Sequence, residues 1–355
     1  MKIDSFELNT QAANRTVYFD YLRVFATFAV IILHISASNW HTTDVNGFEW
    51  QVFNFFDSIT RWCVPIFIMI SGSLFLNRNI PLKTMYSKYL LRMASAFVGW
   101  SAVYAAFMEG SLTDKLIAFL QGHYHMWFIL MIAGIYICIP FIKPIVETDL
   151  RIKYFLALSL IFAFVFPELF MLAKDFGNDL IIQGSKAIKT DVKNMNMHIV
   201  LGYVSYFVLG YYFDKIKLGK NQRIIIYVLG LAGFIFTVVV DLAVALKTQT
   251  ACGRYYGNFN VNILLETLAV FTFFKYGKYE SDKLNAIVLK MSKYSFGAYL
   301  VHALIIEQLN IRLGLNTLSF NPVLAVPSIG VIVFAVSFTI SALLNRIPVV
   351  KKYLV

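Results

Sequence analysis

Charge is scarce in this chain. Only 14% of its 355 residues are Asp, Glu, Lys or Arg, where an ordinary soluble domain carries about 25%. No hydrophilic stretch is long enough to form a separate soluble domain. Cysteine is nearly absent as well: Cys63, Cys138 and Cys252 are scattered, with no CxxC pair and no histidine at metal-ligand spacing. That pattern gives no disulfide framework and no zinc centre, so no metal is expected. Glycine and proline are sparse, and neither a low-complexity tract nor an internal repeat breaks the sequence.

What fills the chain is apolar: 59% of the residues are hydrophobic, above the about 45–50% of soluble domains. The apolar residues form repeated runs of bilayer-spanning length, which need about 20 residues each. The expected fold is therefore all-α, a polytopic integral membrane protein embedded in a lipid bilayer. Ten transmembrane helices are expected, near residues 18–38, 52–76, 89–108, 126–147, 154–173, 198–214, 223–246, 259–275, 294–312 and 324–345. One transmembrane domain then covers 18–345, between an N-terminal segment (1–17) and a C-terminal tail (346–355).

The net charge of +11 would suit a nucleic-acid binder, but membrane proteins concentrate Lys and Arg in cytoplasmic loops. Of the 31 Lys and Arg, twenty-one fall in the even-numbered loops and the termini, against eight in the odd-numbered loops. This bias puts both termini in the cytoplasm and leaves no nucleic-acid partner to invoke. The run Val24–Ile35 followed by Ser36-Ala37-Ser38 has signal-peptide length and a cleavage-like end. A long, mixed-charge leader and a histidine inside the apolar run argue against cleavage.

That first apolar run, DYLRVFATFAVIILHIS, carries Asp20, Arg23 and His34. Ionisable groups in hydrocarbon cost at least about 2.5–3.5 kcal/mol and face a protein interior or a wet cavity. At helical spacing, Asp20, Arg23, Thr27, His34 and Ser38 share an arc of about 60°. Two readings stand. Asp20 and Arg23 can simply pair at i, i+3 while His34 bonds a neighbouring helix. Alternatively the stripe serves chemistry, because Arg23 lies at the cytoplasmic end and His34 about 16 Å higher, in the outer half. A cation below and a titratable base above suit a phosphate-bearing donor entering from the cytoplasm.

Other spans add polar groups. Asn54, Asp57, Ser58 and Arg61 open the second span on one face, and an Asp57–Arg61 salt bridge is the plain reading. Pro65 cannot donate to the Arg61 carbonyl and should bend that helix. Ser71-Gly72-Ser73 brings small residues where a helix or ligand can approach closely. His123 and His125 stand at the outer mouth of the fourth span. Asn258, Asn262 and Glu266 line one face of the eighth, Asp241 ends the seventh, and the ninth carries His302 and Glu307. Each alone is more simply an interhelical hydrogen bond. Together they crowd the outer half, while Arg23, Lys88 and Arg92 stand on the inner side. Trp127 and Tyr299 adjoin the histidines.

These residues resemble the membrane acyltransferase-3 family. The pattern Asp-x-x-Arg-x10-His in the first span is similar to it, as are VPIFIMISG at 64–72, HMWFI at 125–129 and YSFGAYLVH at 294–302. The resemblance runs in order from about residue 18 to 345. It is to the short members without an extracytoplasmic hydrolase-like domain, of the enterobacterial common antigen O-acetyltransferase type. It implies a bacterial cytoplasmic-membrane enzyme that transfers an acyl group, usually acetyl, from cytoplasmic acyl-CoA to a hydroxyl of a surface or lipid-linked carbohydrate. Acetyl-CoA is then a co-substrate, and no tightly bound cofactor is implied. The family's arginine falls on Arg23 and its histidine on His34. Where the family often has Arg-x-x-Arg, this chain has Lys88 and Arg92 spaced by four. Where many members have Val-Asp, it has Val64-Pro65.

The mechanism this suggests is general-base catalysis by His34, with Arg23 oriented by Asp20 and holding CoA phosphates. Lys88, Arg92 and Ser71 are further donor-binding candidates. Arg61, His125, Trp127, Glu266 and His302 are candidates to bind the acceptor or stabilise the transition state. The rival class is a glycan or small-solute transporter or flippase, which intramembrane charges and an outer polar cavity also fit.

Overall fold

The computed structural model describes residues 16–195 and 202–355. Among them the chain is helical, with no strand. In chain order the helices are α1 (Val17–Ala37), α2 (Phe48–Ser58), α3 (Cys63–Leu76), α4 (Leu82–Phe107), α5 (Leu112–Gln121), α6 (Trp127–Ile142) and α7 (Asp149–Phe176). They continue with α8 (Asp179–Asn194), α9 (Val204–Lys215), α10 (Lys220–Thr248), α11 (Val261–Lys275), α12 (Asp282–Leu313), α13 (Pro322–Leu344) and α14 (Pro348–Tyr353).

Seven helical stretches are long and apolar enough to cross a membrane: α1, α2 with α3, α4, α5 with α6 extended to Val146, α7, α10 and α13. The protein is thus a multi-pass helical membrane protein. Three of the ten expected spans fall short of that standard for identifiable reasons. The described helix α9 has 12 residues and α11 has 15, which at 1.5 Å per residue rise only about 18 and 22 Å. Part of the expected 198–214 span (residues 198–201) lies outside the described residues. Helix α12 is long enough at 32 residues but carries Lys283, Lys290, Lys293, His302 and Glu307 along its length.

Two stretches read as loops are helical. Ser111 caps α5 through a reciprocal bond with Asp114, and the Asn178 side chain accepts the Ile181 amide at the start of α8. Both caps satisfy amides that a helix start leaves open. The expected segment 1–17 falls almost wholly outside the described residues. The tail from 346 folds back, with α14 packing on α4.

Helix α1 is central. It packs against α12, α13, α3, α2 and α11, and its apolar residues Leu22, Ala26 and Ile31 are fully enclosed. A helix so surrounded can hold charges only if its neighbours receive them.

Two local devices shape the surroundings of α1. The first is a break: backbone hydrogen bonding passes through single turns at Ile59–Trp62, and Pro65 sits on the first turn of α3, where its missing N–H costs least. The bend expected from Pro65 is therefore a full interruption, with Arg61 inside it. The second is the crossing of α3 and α9. A Cβ on Gly72 would fall inside the Phe207 backbone, and one on Gly210 inside the Met69 backbone. The two glycines interlock, so the backbones touch in the way small residues allow in membranes.

Candidate functional site

The polar stripe of α1 faces protein, and its lower end is an ion pair with a third member. Arg23 Nη1 donates to Asp20 Oδ1 at 3.1 Å, and the Ser292 hydroxyl of α12 donates to the same oxygen at 2.6 Å. Asp20 is 3% exposed, so it needs both donors to offset its burial. The plain reading of Asp20 and Arg23 as partners is correct, and it coexists with a role in a cavity. Arg23 retains a side-chain exposure of 26% and lines a cavity that runs beside α1.

That cavity has a volume of about 620 Å³, within the range of ligand sites. Arg23, Arg92, Ser292 and Lys293 line one part of it; His34, Arg61, His125 and Trp127 line another. One space therefore connects the two ends of the α1 stripe. Helices α1 and α12 run parallel beside it, since Ser292 meets Asp20 below and His302 meets His34 above. Val64, Phe67, Phe128 and Phe296 supply the apolar walls between.

At the upper end four histidines gather. The His34 ring centre lies 5.1 Å from that of His302 and 6.4 Å from that of His125, with Tyr124 at 5.3 Å. His302 Nδ1 approaches the Tyr299 carbonyl at 2.5 Å. A carbonyl only accepts, so Nδ1 carries the proton and Nε2 presents a lone pair. That Nε2 is buried with no hydrogen-bond partner, beside His34. His125 and His123 meet through their Nδ1 atoms at 2.8 Å, and His123 Nε2 reaches Glu307 at 2.8 Å. Gly122, with φ of 72°, turns the chain between α5 and this cluster in a conformation that favours glycine. Among the described residues no three His, Cys, Asp or Glu side chains converge as metal ligands.

A second cavity, of about 490 Å³, lies on the other side of His34. The loop after α1 and the loop between α12 and α13 enclose it, through Ser38, Asn39, Asn316 and Thr317. Glu307 and Tyr124 also face it. His34 thus stands between two spaces.

The remaining expected site residues divide. Arg61 lines the first cavity, held by Asp57 at 2.5 Å with its guanidinium 4.1 Å above the Tyr256 ring. Trp127 lines it and His302 adjoins it from behind His34. Arg92 lines it, while its Nη2 donates to the Val355 carbonyl at 2.5 Å. Three lie apart from both cavities. Glu266 accepts the Thr237 hydroxyl at 3.0 Å between α10 and α11, where Asn262 also bonds Thr237. The Ser71 hydroxyl turns back on the Phe67 carbonyl at 2.9 Å, and Lys88 is exposed beside Tyr89.

Sequence reasoning missed Ser292, Lys293, Tyr256 and Tyr124. Ser292 and Lys293 precede the YSFGAYLVH stretch by two residues or fewer, and the parallel run of α1 and α12 sets them opposite Asp20 and Arg23. Spacing within one helix carries no trace of that pairing. Tyr256 comes from the loop before α11, whose placement no periodicity reports.

A family model described as an acyltransferase domain matches residues 16–342. Among curated proteins and among solved structures nothing matches. The match spans nearly the whole chain, from the start of α1 to the end of α13, and it gives the transporter reading no support. The chain belongs to the membrane acyltransferase-3 family, and it is a membrane acyltransferase.

Proposed function

We propose that this acyltransferase moves an acyl group, acetyl in the first instance, from cytoplasmic acyl-CoA to a hydroxyl of a surface or lipid-linked carbohydrate. The reading includes ten spans with both termini in the cytoplasm of a bacterial inner-membrane protein. It also places this chain with the short O-acetyltransferase members of the family. The observation that carries it is the single cavity with Arg23 at one end and His34 at the other.

The donor's phosphates sit among Arg23, Arg92 and Lys293, where charge-assisted hydrogen bonds are the strong ones. Its thioester lies between apolar walls near His34. Neutral His34 takes the proton of the acceptor hydroxyl as that oxygen attacks the thioester carbonyl. Arg61 is the nearest cation to balance the negative charge that develops on the carbonyl oxygen. As the tetrahedral species collapses, the C–S bond breaks and the His34 proton passes to the leaving sulfur. The products are an O-acyl ester and free CoA thiol, with no net proton change. His302 presents its unpartnered Nε2 lone pair beside His34, where it can accept the other His34 N–H once the ring turns to act as base.

The test is His34→Ala, with membrane insertion verified and labelled acetyl-CoA as donor. Transfer to glycan is expected to fall about 10²–10⁴-fold, the contribution of a positioned base. Undiminished transfer would remove His34 from the mechanism. The broken helix α2–α3 is a feature a carrier would share, and free CoA thiol separates the two, because a carrier releases none.

A further inference from the structure

We infer that the second cavity binds an electrically neutral, hydroxyl-rich unit of the acceptor and rejects an anionic one. The inference rests on the proposed transfer at His34 and adds the charge class of the acceptor.

The lining carries it. Among the described residues no Lys or Arg lines this cavity, and its acidic side chain is Glu307, one of whose oxygens is engaged by His123. The other ionisable groups there are His34, His41 and Tyr124. An anionic sugar would enter beside a carboxylate and find no cation of the kind the first cavity supplies three times over in arginine alone. What the cavity does offer is amides and hydroxyls: Ser38, Asn39, Asn310, Asn316 and Thr317.

These side chains brace one another. Asn39 Nδ2 donates to the Thr317 hydroxyl at 2.8 Å, and Asn316 Nδ2 to Asn310 Oδ1 at 3.0 Å. An asparagine side chain has two N–H donors and an oxygen with two lone pairs; Asn316 Oδ1 also accepts the Leu318 amide at 2.9 Å and Asn39 Nδ2 at 3.5 Å, which leaves the Asn39 oxygen, the Asn310 N–H groups and the second N–H of Asn316 for a ligand. A surface that both donates and accepts matches vicinal hydroxyls, which do the same. Tyr124 adds a ring that is 57% exposed, 5.3 Å from the His34 ring centre. Such a face suits the apolar side of a sugar ring, next to the base that would take its proton. The volume of about 490 Å³ accommodates a unit of sugar size rather than a folded partner.

The experiment compares two probes that differ in one carboxylate, methyl glucoside and methyl glucuronide, binding to the full-length protein in nanodiscs. Saturation-transfer NMR reads binding without turnover. The glucoside is expected to bind and the glucuronide to bind at least about tenfold more weakly, as like-charge juxtaposition dictates. Asn316→Arg is expected to narrow that difference by supplying the missing cation. Equal or tighter binding of the glucuronide to the unaltered protein overturns the inference, and so does binding of neither probe. Both failures leave His34-dependent CoA release, the test of the proposed reaction, standing on its own.

Discussion

The two cavities share one imidazole and little else. Among the described residues the first is lined by Arg23, Arg61, Arg92 and Lys293 and by no carboxylate, although Asp20 and Asp57 brace two of those arginines from behind. The polar lining of the second is amides, hydroxyls, His41 and Glu307 among aliphatic side chains such as Ile306 and Leu315, with no Lys or Arg among the described residues. A protein that merely needed to bury helix ends would have no reason to sort charge so completely on the two sides of His34. On the proposed reaction, this sorting would separate the two ligands by electrostatics before shape recognition begins, a polyanion to the cationic space and a neutral polar unit to the other.

The sharpest way to break the comparison is to remove the residue both spaces share. His34→Gln keeps a polar side chain of similar reach but no base, and transfer should still fall about 10²–10⁴-fold, measured as acceptor-dependent CoA release. Next comes the cationic side alone. Arg23→Gln should raise the KM for acyl-CoA about 10–100-fold, the value of a hydrogen bond to a charged group, while kcat changes less. The salt sensitivity of that KM should fall with it. A kcat loss with unchanged KM would show that Arg23 does not hold the donor.

A smaller effect is expected behind the imidazole. His302→Ala removes the lone pair beside His34 and should lower kcat by up to about tenfold, the value of one neutral hydrogen bond. His302→Gln, which can still accept, should recover part of it, a split that loss of packing alone would not give. The smallest change is Ser292→Ala. It withdraws one donor from buried Asp20 and should alter the KM for acyl-CoA only a few-fold, leaving binding in the second cavity untouched.

Much of this was legible in the sequence, because hydrocarbon makes ionisable residues expensive. Asp20, Arg23 and His34 on one face of a 21-residue apolar helix called for a protein interior or a wet cavity before any neighbour was known. The Pro65 discontinuity and the Asp57–Arg61 pair were equally readable, being local in sequence. Glu266 makes the interhelical bond that was its simpler reading; its place could not be read further, because a buried carboxylate looks the same in sequence whether it faces a ligand or a threonine such as Thr237. Fewer helical stretches meet the length and apolarity standard than the ten spans expected, because the described helices α9 and α11 are short and α12 is too polar along its length. The second cavity was foreseen only as a crowd of outer polar groups. Its walls come from two loops far apart in the chain, joined by Asn39 and Thr317, and loops carry no period to read.

Arg23 and His34 belong to one helix, so the rise of about 16 Å between their backbone positions is fixed, and for the proposed donor it would act as a gauge. A donor whose thioester lies too close to its phosphates would be anchored yet fall short of the imidazole. One with a matching arm would be carried to the reacting position by binding alone. On the proposed reaction, selection among acyl carriers by arm length would then follow from a single stretch of backbone.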